Sequence, residues 1–151
     1  MFGEKDKMLL KELIEDSRQK ITDLSRKCHM TRQSIYNKIN EFRRRGIKFT
    51  VDVNPRELGL KVRAYTLVTI DPGVRFRAET DEIIKKFKGI SQIHYLIGRF
   101  DIILEIIVKD IDELSDLIRK ISELPLVRKT ETLTVYETVK LDHKAPLLRI
   151  L

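Results

Sequence analysis

Residues 21–45 read ITDLSRKCHMTRQSIYNKINEFRRR, which is the pattern of two short amphipathic helices separated by a tight corner. Apolar residues share one face of each helix, namely Ile21, Leu24 and Cys28 in the first and Ile35, Ile39 and Phe42 in the second. Thr31 suits the N-cap of the second helix, and Met30 with Ile35 has the spacing of a hydrophobic staple. The stretch therefore predicts a helix-turn-helix.

The polar face of the second helix carries an unusual set of side chains. A solvated helix face commonly uses Glu and Lys, whereas Gln33, Asn37 and Asn40 are poorer helix formers that can pair bidentately with an adenine edge. We interpret this helix as one that lies in a DNA major groove, with Gln33 and Asn37 reading base edges. The residues expected at the DNA surface are Thr31, Arg32, Gln33, Ser34, Tyr36, Asn37, Lys38, Asn40 and Arg44. Of these, Arg32, Ser34 and Lys38 are expected to meet phosphates.

The positive charge of the chain is concentrated in its first third. Residues 1–50 contain 13 Lys and Arg against 7 Asp and Glu, whereas residues 51–151 contain 17 against 16. The same two helices could belong to a plain helical bundle, but a bundle does not require this asymmetry. A phosphate backbone does, so the charge favours nucleic-acid binding over the bundle.

Composition and motifs exclude several other classes of protein. The 151 residues suffice for one domain or two small ones, and a single cysteine permits no internal disulfide. No long apolar run or signal peptide is visible, so we expect a cytoplasmic, nucleoid-associated protein without a membrane partner. His29, His94 and His143 lack metal-ligand spacing, and no phosphate-binding glycine loop or nucleophile motif occurs. We therefore expect no metal, no cofactor and no enzymatic activity.

The periodicity changes from helical to strand-like after residue 60. The elements predicted before this point are a first helix over residues 5–15 and a short strand over 49–53. Those predicted after it are strand 62–70, turn 71–73, helix 75–88, strands 91–97 and 102–108, helix 111–124 and strand 127–139. The order βαββαβ predicts an α+β, ferredoxin-like fold with both helices on one face of an antiparallel sheet. The other face, expected to be apolar through Leu67 and Ile103, would be covered by a second copy of the chain.

Several short motifs, taken in order, resemble the Lrp/AsnC (leucine-responsive, or feast/famine) family of transcription regulators. The matching positions are Asp6 with Leu9-Leu10, Asp16-x-Arg18, the helix pair, Pro55-x-x-Leu58-Gly59, Gly98-x-x-Asp101, Pro125-x-Val127 and Thr130-x-Thr132. The resemblance implies a DNA-binding domain over 1–50, a linker over 51–61, a βαββαβ (RAM/ACT-like) oligomerisation and effector domain over 62–139, and a tail over 140–151. It also implies homodimers, often octamers, with amino-acid effectors bound between dimers.

The effector loop of that family corresponds here to Gly98, Arg99 and Asp101. Taken alone, Gly98 and Asp101 are better explained as a turn glycine and a polar strand start, and the resemblance reverses this preference. Backbone N–H groups at a glycine can hold the carboxylate of a free amino acid, and Asp101 can hold its ammonium. The chain departs from the family at His29, where such a turn usually has Gly, at Leu126 after Pro125, and in a shorter 46–49 segment.

Two functional hypotheses follow from these features. The favoured one is a sequence-specific DNA-binding transcriptional regulator whose partners are double-stranded DNA, its own copies and a small amino acid. The alternative is a non-specific, architectural DNA-binding protein whose second domain only drives oligomerisation. An enzyme or an RNA-binding module on the ferredoxin-like fold is the third possibility, but the strands lack paired aromatics for stacking bases.

Overall fold

Three helices at the N-terminus enclose the first hydrophobic core. In the computed structural model, which describes residues 2–71 and 77–151, α1 spans Glu4–Glu15, α2 Ile21–Lys27 and α3 Arg32–Arg44. The buried core residues are Leu9, Leu13, Leu24, Cys28, Ile35 and Phe42. Because these fall on the predicted faces, the structure confirms the helix-turn-helix pattern and the first helix.

Two expectations for this region are wrong. Ile21 was expected in the buried stripe but is exposed, since it is the first residue of α2 and lies at the edge of the core. Residues 49–53 form no strand, and their alternating side chains Val51 and Val53 are exposed. A 3₁₀ helix over Pro55–Leu58 follows instead, capped by the Asn54 side chain and ended by Gly59.

A four-stranded antiparallel sheet forms the second half of the fold. Its strands are β1 (Val62–Ile70), β2 (Ile90–Tyr95), β3 (Ile102–Val108) and β4 (Val127–Thr134), in the spatial order β2-β3-β1-β4. Helices α4 (Arg77–Ile84) and α5 (Ile111–Ser122) pack on one face. The central strands β1 and β3 begin and end where the sequence pattern predicts, and the ferredoxin-like α+β fold is confirmed.

The second core lies between the sheet and these helices. Its members are Ala64, Val68, Ile84, Ile102, Leu104, Ile106, Val108, Leu114, Leu117 and Ile121, all buried. Asp110 caps α5 by accepting a hydrogen bond from the Glu113 backbone at 2.9 Å, which fixes where that helix begins. Gly89 closes the turn before β2, where a Cβ would lie 3.0 Å from the side chains of Leu117 and Val108.

Several boundaries differ from the prediction. Helix α4 ends at Ile84, four residues before the predicted end, and Ile83 in its last turn is 40% exposed. Strand β4 stops at Thr134, close to where its partner β1 begins at Val62, and the last bond runs from Val135 N–H to the Arg63 carbonyl. Strand β2 and helix α5 each end two residues earlier than expected. The turn predicted at 71–73 and the helix start predicted at 75–76 fall, apart from Asp71, on residues 72–76, which lie outside the described residues.

The sheet face opposite the helices is mixed, so the expectation of an apolar face is correct only in part. Leu67 and Ile103 lie side by side on it and are half-buried. The neighbouring pair, however, is Tyr65 beside Glu105, and Arg63 lies one position further along the same face. A charged cluster therefore shares this face with the aliphatic residues.

The chain separates into two units, one built from two segments of the chain and the other from a single segment. One unit contains the residues up to Asp52 together with Val139–Leu151, and the other contains Val53–Thr138. The C-terminal residues, with the short helix α6 (Ala145–Leu148), therefore belong to the helix-turn-helix unit. Among the described residues, no helix combines the length and apolar character needed to cross a bilayer.

Candidate DNA-binding surface and ligand loop

The start of α3 is fixed by its N-cap. Thr31 Oγ1 accepts a hydrogen bond from the Ser34 backbone at 3.1 Å, and the two hydroxyl oxygens lie 2.8 Å apart. Ser25 supports the preceding corner by donating its hydroxyl to the carbonyl of Met30. These bonds satisfy donors and acceptors that the ends of α2 and α3 would otherwise leave open.

The corner itself requires a left-handed residue. His29 has a φ of 50°, and it is the one non-glycine residue with positive φ in the described ranges 2–71 and 77–151. This conformation costs an ordinary L-residue about 1–2 kcal/mol, which explains why glycine suits such a corner. His29 therefore holds a conformation that a glycine would adopt at lower cost.

The exposed face of α3 presents the predicted base-reading side chains. Gln33 Nε2 donates to Asn37 Oδ1 at 3.1 Å, so the two amides are already aligned on one turn of helix. Asn40 Oδ1 accepts from Arg43 at 3.3 Å. The exposed members of the predicted set are Thr31, Arg32, Gln33, Tyr36, Asn37 and Arg44, and the half-buried ones are Ser34, Lys38 and Asn40. All nine lie on one helix or at its cap.

The flank of α3 carries an ion-pair chain. Lys38 Nζ lies 2.8 Å from Asp6 Oδ1 and 3.0 Å from Glu41 Oε2, and Arg45 reaches the other Glu41 oxygen at 3.6 Å. The hydrogen bond from Lys38 is the main reason that the pKa of Asp6 lies below its ordinary value. The same bond raises the pKa of Lys38.

A concave groove of about 490 Å³ runs beside α3. Its wall includes Lys5 from α1, Thr31 at the cap, and Asn37 and Arg44 from α3. These side chains supply ammonium, hydroxyl, amide and guanidinium donors, which are the groups that proteins use against phosphate and base edges. Glu41 adds a carboxylate to the same wall, so the groove presents these donors together with one negative charge.

The predicted ligand loop, 98–101, connects β2 to β3. Gly98 and Arg99 are exposed, and Arg99 lies 3.8 Å from Glu131 on β4. Asp101 is half-buried and tied into the sheet through three bonds: its Oδ2 accepts from Ile70 N–H at 2.9 Å, its N–H donates to Val68, and its carbonyl accepts from Leu96 N–H. The structure therefore shows that this carboxylate bonds within the sheet, and its contact with a ligand stays a prediction.

Strand register decides the direction of two side chains that lie close to this loop in the sequence. His94 lies opposite Ile103 on the open face of the sheet. Tyr95 lies opposite Ile102 on the helix-covered face, where its hydroxyl donates to Asp81. The two side chains therefore lie on different faces and do not line one pocket.

A buried carboxylate on the open sheet face was missed by the sequence analysis. Glu105 is 8% exposed, accepts hydrogen bonds from Tyr65 at 3.0 Å and Ser91 at 2.6 Å, and lies 3.7 Å from Arg63. Burial, followed by the bond to Glu105, raises the pKa of the Tyr65 phenol. The signal was visible in the sequence, because Glu105 interrupts the otherwise apolar run IILEIIV.

A helix-turn-helix unit joined to a ferredoxin-like unit is the architecture of a class of transcriptional regulators. A family model described as winged helix-turn-helix DNA-binding matches residues 3–47. A second, described as the Lrp/AsnC ligand binding domain, matches residues 63–145, which is more than half of the chain. The chain belongs to the Lrp/AsnC family.

Curated relatives and solved structures agree with this assignment. The chain is 32% identical to an HTH-type transcriptional regulator of Pyrococcus furiosus, itself uncharacterised, over 89% of this chain and 93% of the relative. It is 27% identical to the HTH-type transcriptional regulator FL11 of Pyrococcus abyssi, over 97% of each chain.

Two solved structures share the fold. Escherichia coli AsnC superposes with a TM-score of 0.85 at 20% identity, covering 94% of this chain and 97% of that one. A transcriptional regulator of Neisseria meningitidis in complex with L-Met superposes with a TM-score of 0.89 at 18% identity, covering all of both chains. Family and relatives together establish a DNA-binding HTH-type transcriptional regulator with a ligand-binding domain.

Proposed function

We propose that this protein regulates transcription by binding specific DNA sequences through α3. The observation that carries the proposal is the exposed Gln33–Asn37 pair, whose amides hydrogen-bond to each other on the outer face of the helix. Amide side chains in the first turns of a recognition helix can pair with the N6 and N7 edge of adenine. The other proposed DNA contacts are Thr31, Arg32, Ser34, Tyr36, Asn40 and Arg44.

Charge supports this surface. Lys38 and Arg45 are paired with acidic side chains, whereas no described residue forms an ion pair with Arg32, Arg43, Arg44 or Lys48. Cations that are not neutralised internally are the ones that release counterions when they meet phosphate. We therefore expect steep salt dependence for binding to any duplex.

Replacing both base-reading amides tests this assignment. Gln33→Ala with Asn37→Ala should reduce the free energy of binding to a preferred duplex by about 1–3 kcal/mol or more, the contribution of at least one good base contact. Binding to a scrambled duplex should stay nearly unchanged, because the phosphate contacts remain. Arg32→Gln is the matched control, since it should weaken both duplexes and reduce the salt slope by about 0.9. A double variant that keeps wild-type preference would remove the groove assignment.

We further propose that a free amino acid, or a close relative of one, binds at the 98–101 loop at an interface between dimers. Exposed backbone at Gly98 supports carboxylate binding, and the Asp101 carboxylate supports ammonium binding. Arg99 on the same loop is a second candidate for the ligand carboxylate. The regulator from Neisseria meningitidis, determined with L-Met, provides a precedent on the same fold.

Calorimetry against the twenty amino acids tests the effector. Asp101→Asn is the informative variant, because it keeps a hydrogen-bond acceptor for the Ile70 backbone while removing the charge. Loss of the ion pair to an ammonium should weaken binding by about 1.5–3 kcal/mol, or roughly 10- to 150-fold. Equal binding by wild type and variant would dismiss Asp101 as a ligand contact.

The assembly we propose is a homodimer that can associate further to an octamer, formed through the open face of the sheet. Leu67 and Ile103 support this, since they form an adjacent aliphatic pair on the sheet face opposite α4 and α5. Dimerisation would place two copies of α3 against two half-sites and link their binding. Such a protein would be found on the nucleoid in the cytoplasm. If no amino acid binds and no preferred duplex exists, an architectural DNA-binding role becomes the better account.

A further inference from the structure

The face of α3 that is turned away from the base-reading amides is held by the N-terminal residues. Asp6, in the first turn of α1, is 8% exposed and uses both of its oxygens. Oδ2 accepts from the Gly3 backbone at 3.2 Å, which caps α1, and Oδ1 receives the Lys38 ammonium at 2.8 Å. One buried carboxylate therefore fixes the start of α1 and the middle of α3 together.

Lys38 is engaged on two sides. Its ammonium lies between Asp6 and Glu41, and its side chain is only 33% exposed. Asp6 and Glu41 take two of the three N–H donors of this ammonium, and their negative charges oppose the approach of a DNA phosphate. A phosphate that drew the ammonium away would leave the Asp6 carboxylate buried without its cation. Leaving a buried charge unpaired is among the costly changes a protein can undergo. The pairing thus disfavours the phosphate role that the sequence pattern predicts for Lys38.

The same junction extends to aromatic contacts. Phe2 packs edge-on against Phe42 of α3 with ring centroids 5.6 Å apart, and the Arg45 guanidinium lies 4.3 Å from the Phe2 ring. Glu41 joins Lys38 to Arg45 along the helix. Residues 2–6 therefore contact α3 over two turns, by charge at one turn and by ring packing at the next.

We infer that Asp6 and Lys38 are a positioning pair that sets the rotation of α3 about its axis, and that Lys38 is not a phosphate contact. Side chains that read base edges must be held to within about 0.5 Å, and a small roll of the helix moves them by more than that. Lys38 follows Asn37 directly, so a constraint on Lys38 is also a constraint on the amide beside it. The inference rests on the proposed function of α3 as the recognition helix.

The salt dependence of DNA binding by the full chain distinguishes a positioning role of Lys38 from a phosphate contact. Two probes are used, the tightest duplex that wild type selects from a random pool and a scrambled duplex of the same length. For a positioning pair, Lys38→Met and Asp6→Asn should each weaken the selected duplex by about tenfold, roughly the loss of one base contact. The salt slope on the scrambled duplex should stay at the wild-type value for both variants. The double variant should lose little more than either single variant.

Asp6→Asn is the decisive variant because it raises the net charge by one and retains an acceptor for the Gly3 backbone. A phosphate-binding Lys38 predicts that this change leaves DNA binding unchanged or strengthens it, and that Lys38→Met lowers the salt slope by about 0.9 on both duplexes. Either result overturns the inference, as does wild-type affinity of both variants for the selected duplex. Thermal unfolding of each variant shows that the compared proteins are folded, and Asp6→Asn remains interpretable if Lys38→Met is not.

Two controls separate failure of this inference from failure of the proposed function. Arg32→Gln should reduce the salt slope by about 0.9, which shows that the assay detects one lost phosphate contact. Gln33→Ala with Asn37→Ala should remove the preference for the selected duplex. If that double variant keeps its preference, the groove role of α3 is wrong, and the positioning role is overturned with it. If only the Asp6 and Lys38 variants behave as wild type, the proposed function stands and the pair has no part in it.

Discussion

Asp101 Oδ2 accepts a hydrogen bond from the backbone N–H of Ile70 at 2.9 Å, joining the start of β3 to the end of β1. The Asp101 backbone also bonds to Val68, so the residue is anchored to β1 twice. A carboxylate has two oxygens, and one can hold the sheet while the other receives an ammonium. The ligand contact proposed for Asp101 would therefore be built on a residue that the fold already holds rigidly.

This relationship predicts that substitutions at Asp101 have two separable effects. Asp101→Ala should lower the free energy of unfolding by about 1–3 kcal/mol, because it leaves the Ile70 N–H without its acceptor. Asp101→Asn should lower it much less, since the amide oxygen can accept the same bond. Urea unfolding of the three proteins measures the difference. Equal losses for the two variants would mean that the charge, rather than the hydrogen bond, supplies the stability.

Acid should destabilise the helix-turn-helix unit through Asp6. The folded protein lowers the pKa of this carboxyl below its ordinary 3.8, chiefly through the bond from Lys38. The folded state then binds fewer protons than the unfolded state, so Asp6 contributes stability above about pH 4 that is lost as the pH falls through the lowered pKa. Wild type should therefore lose more stability than Asp6→Asn between about pH 6 and about pH 3.

The acid experiment needs a control for Glu12, the second carboxyl whose pKa the folded protein lowers. The pKa of Glu12 is also lowered, mainly by the bond from Lys27, so some acid sensitivity should survive in Asp6→Asn. Glu12→Gln should reduce that remainder. Unfolding curves for wild type and Asp6→Asn that fall in parallel over the acid range would contradict the contribution assigned to Asp6.

The corner between α2 and α3 predicts a stabilising substitution. His29 has a φ of 50°, and glycine adopts this conformation without the steric cost that an L-residue carries. His29→Gly should raise the free energy of unfolding by about 0.5–1 kcal/mol, the relief of strain being partly offset by the freedom of glycine in the unfolded chain. Gly46→Ala is the opposite control. Gly46 has a φ of 86°, so an alanine there should lower the free energy of unfolding. A destabilised His29→Gly would show that the imidazole makes a contribution larger than the strain.

Self-association through the open sheet face predicts a charge-sensitive dimer. Leu67→Lys places an ammonium on the aliphatic pair that Leu67 forms with Ile103, and it should shift the protein toward monomer in sedimentation. Ile111→Lys is the matched control, since Ile111 is 55% exposed at the start of α5 and does not lie on a strand of the sheet. Equal association by the two variants would place the interface elsewhere.

The elements predicted best from the sequence are those whose neighbours in space are themselves strands or helices. Strands β1 and β3 occupy the centre of the sheet, where one face is buried by α4 and α5, and their apolar patterns define their ends. Strand β4 was predicted five residues too long because its side chains continue to alternate after its partner β1 has begun. Tyr136 and Val139 are accordingly almost fully exposed. Local patterns cannot report where a partner strand ends.

Side-chain chemistry was harder to predict than the backbone. The Thr31 cap and the polar face of α3 follow from helical periodicity, and the structure confirms that geometry. The Asp6–Lys38 pair joins residues 32 positions apart, and the Glu105 cluster draws on three strands. Such contacts depend on tertiary packing, and a residue that looks solvated in the sequence can then be paired and partly buried.

If α3 reads DNA sequence in this family member, selection from a random duplex pool should reveal the preferred site. Wild type should enrich a palindrome whose half-sites lie about one helical turn or a multiple of it apart, as two copies of α3 in a dimer require. The Gln33→Ala, Asn37→Ala variant should be put through the same selection. It should lose the preference at the bases that the two wild-type amides contact, and it should still bind DNA. A wild-type pool that stays random, or one enriched identically by both proteins, would show that α3 does not read DNA sequence through these amides.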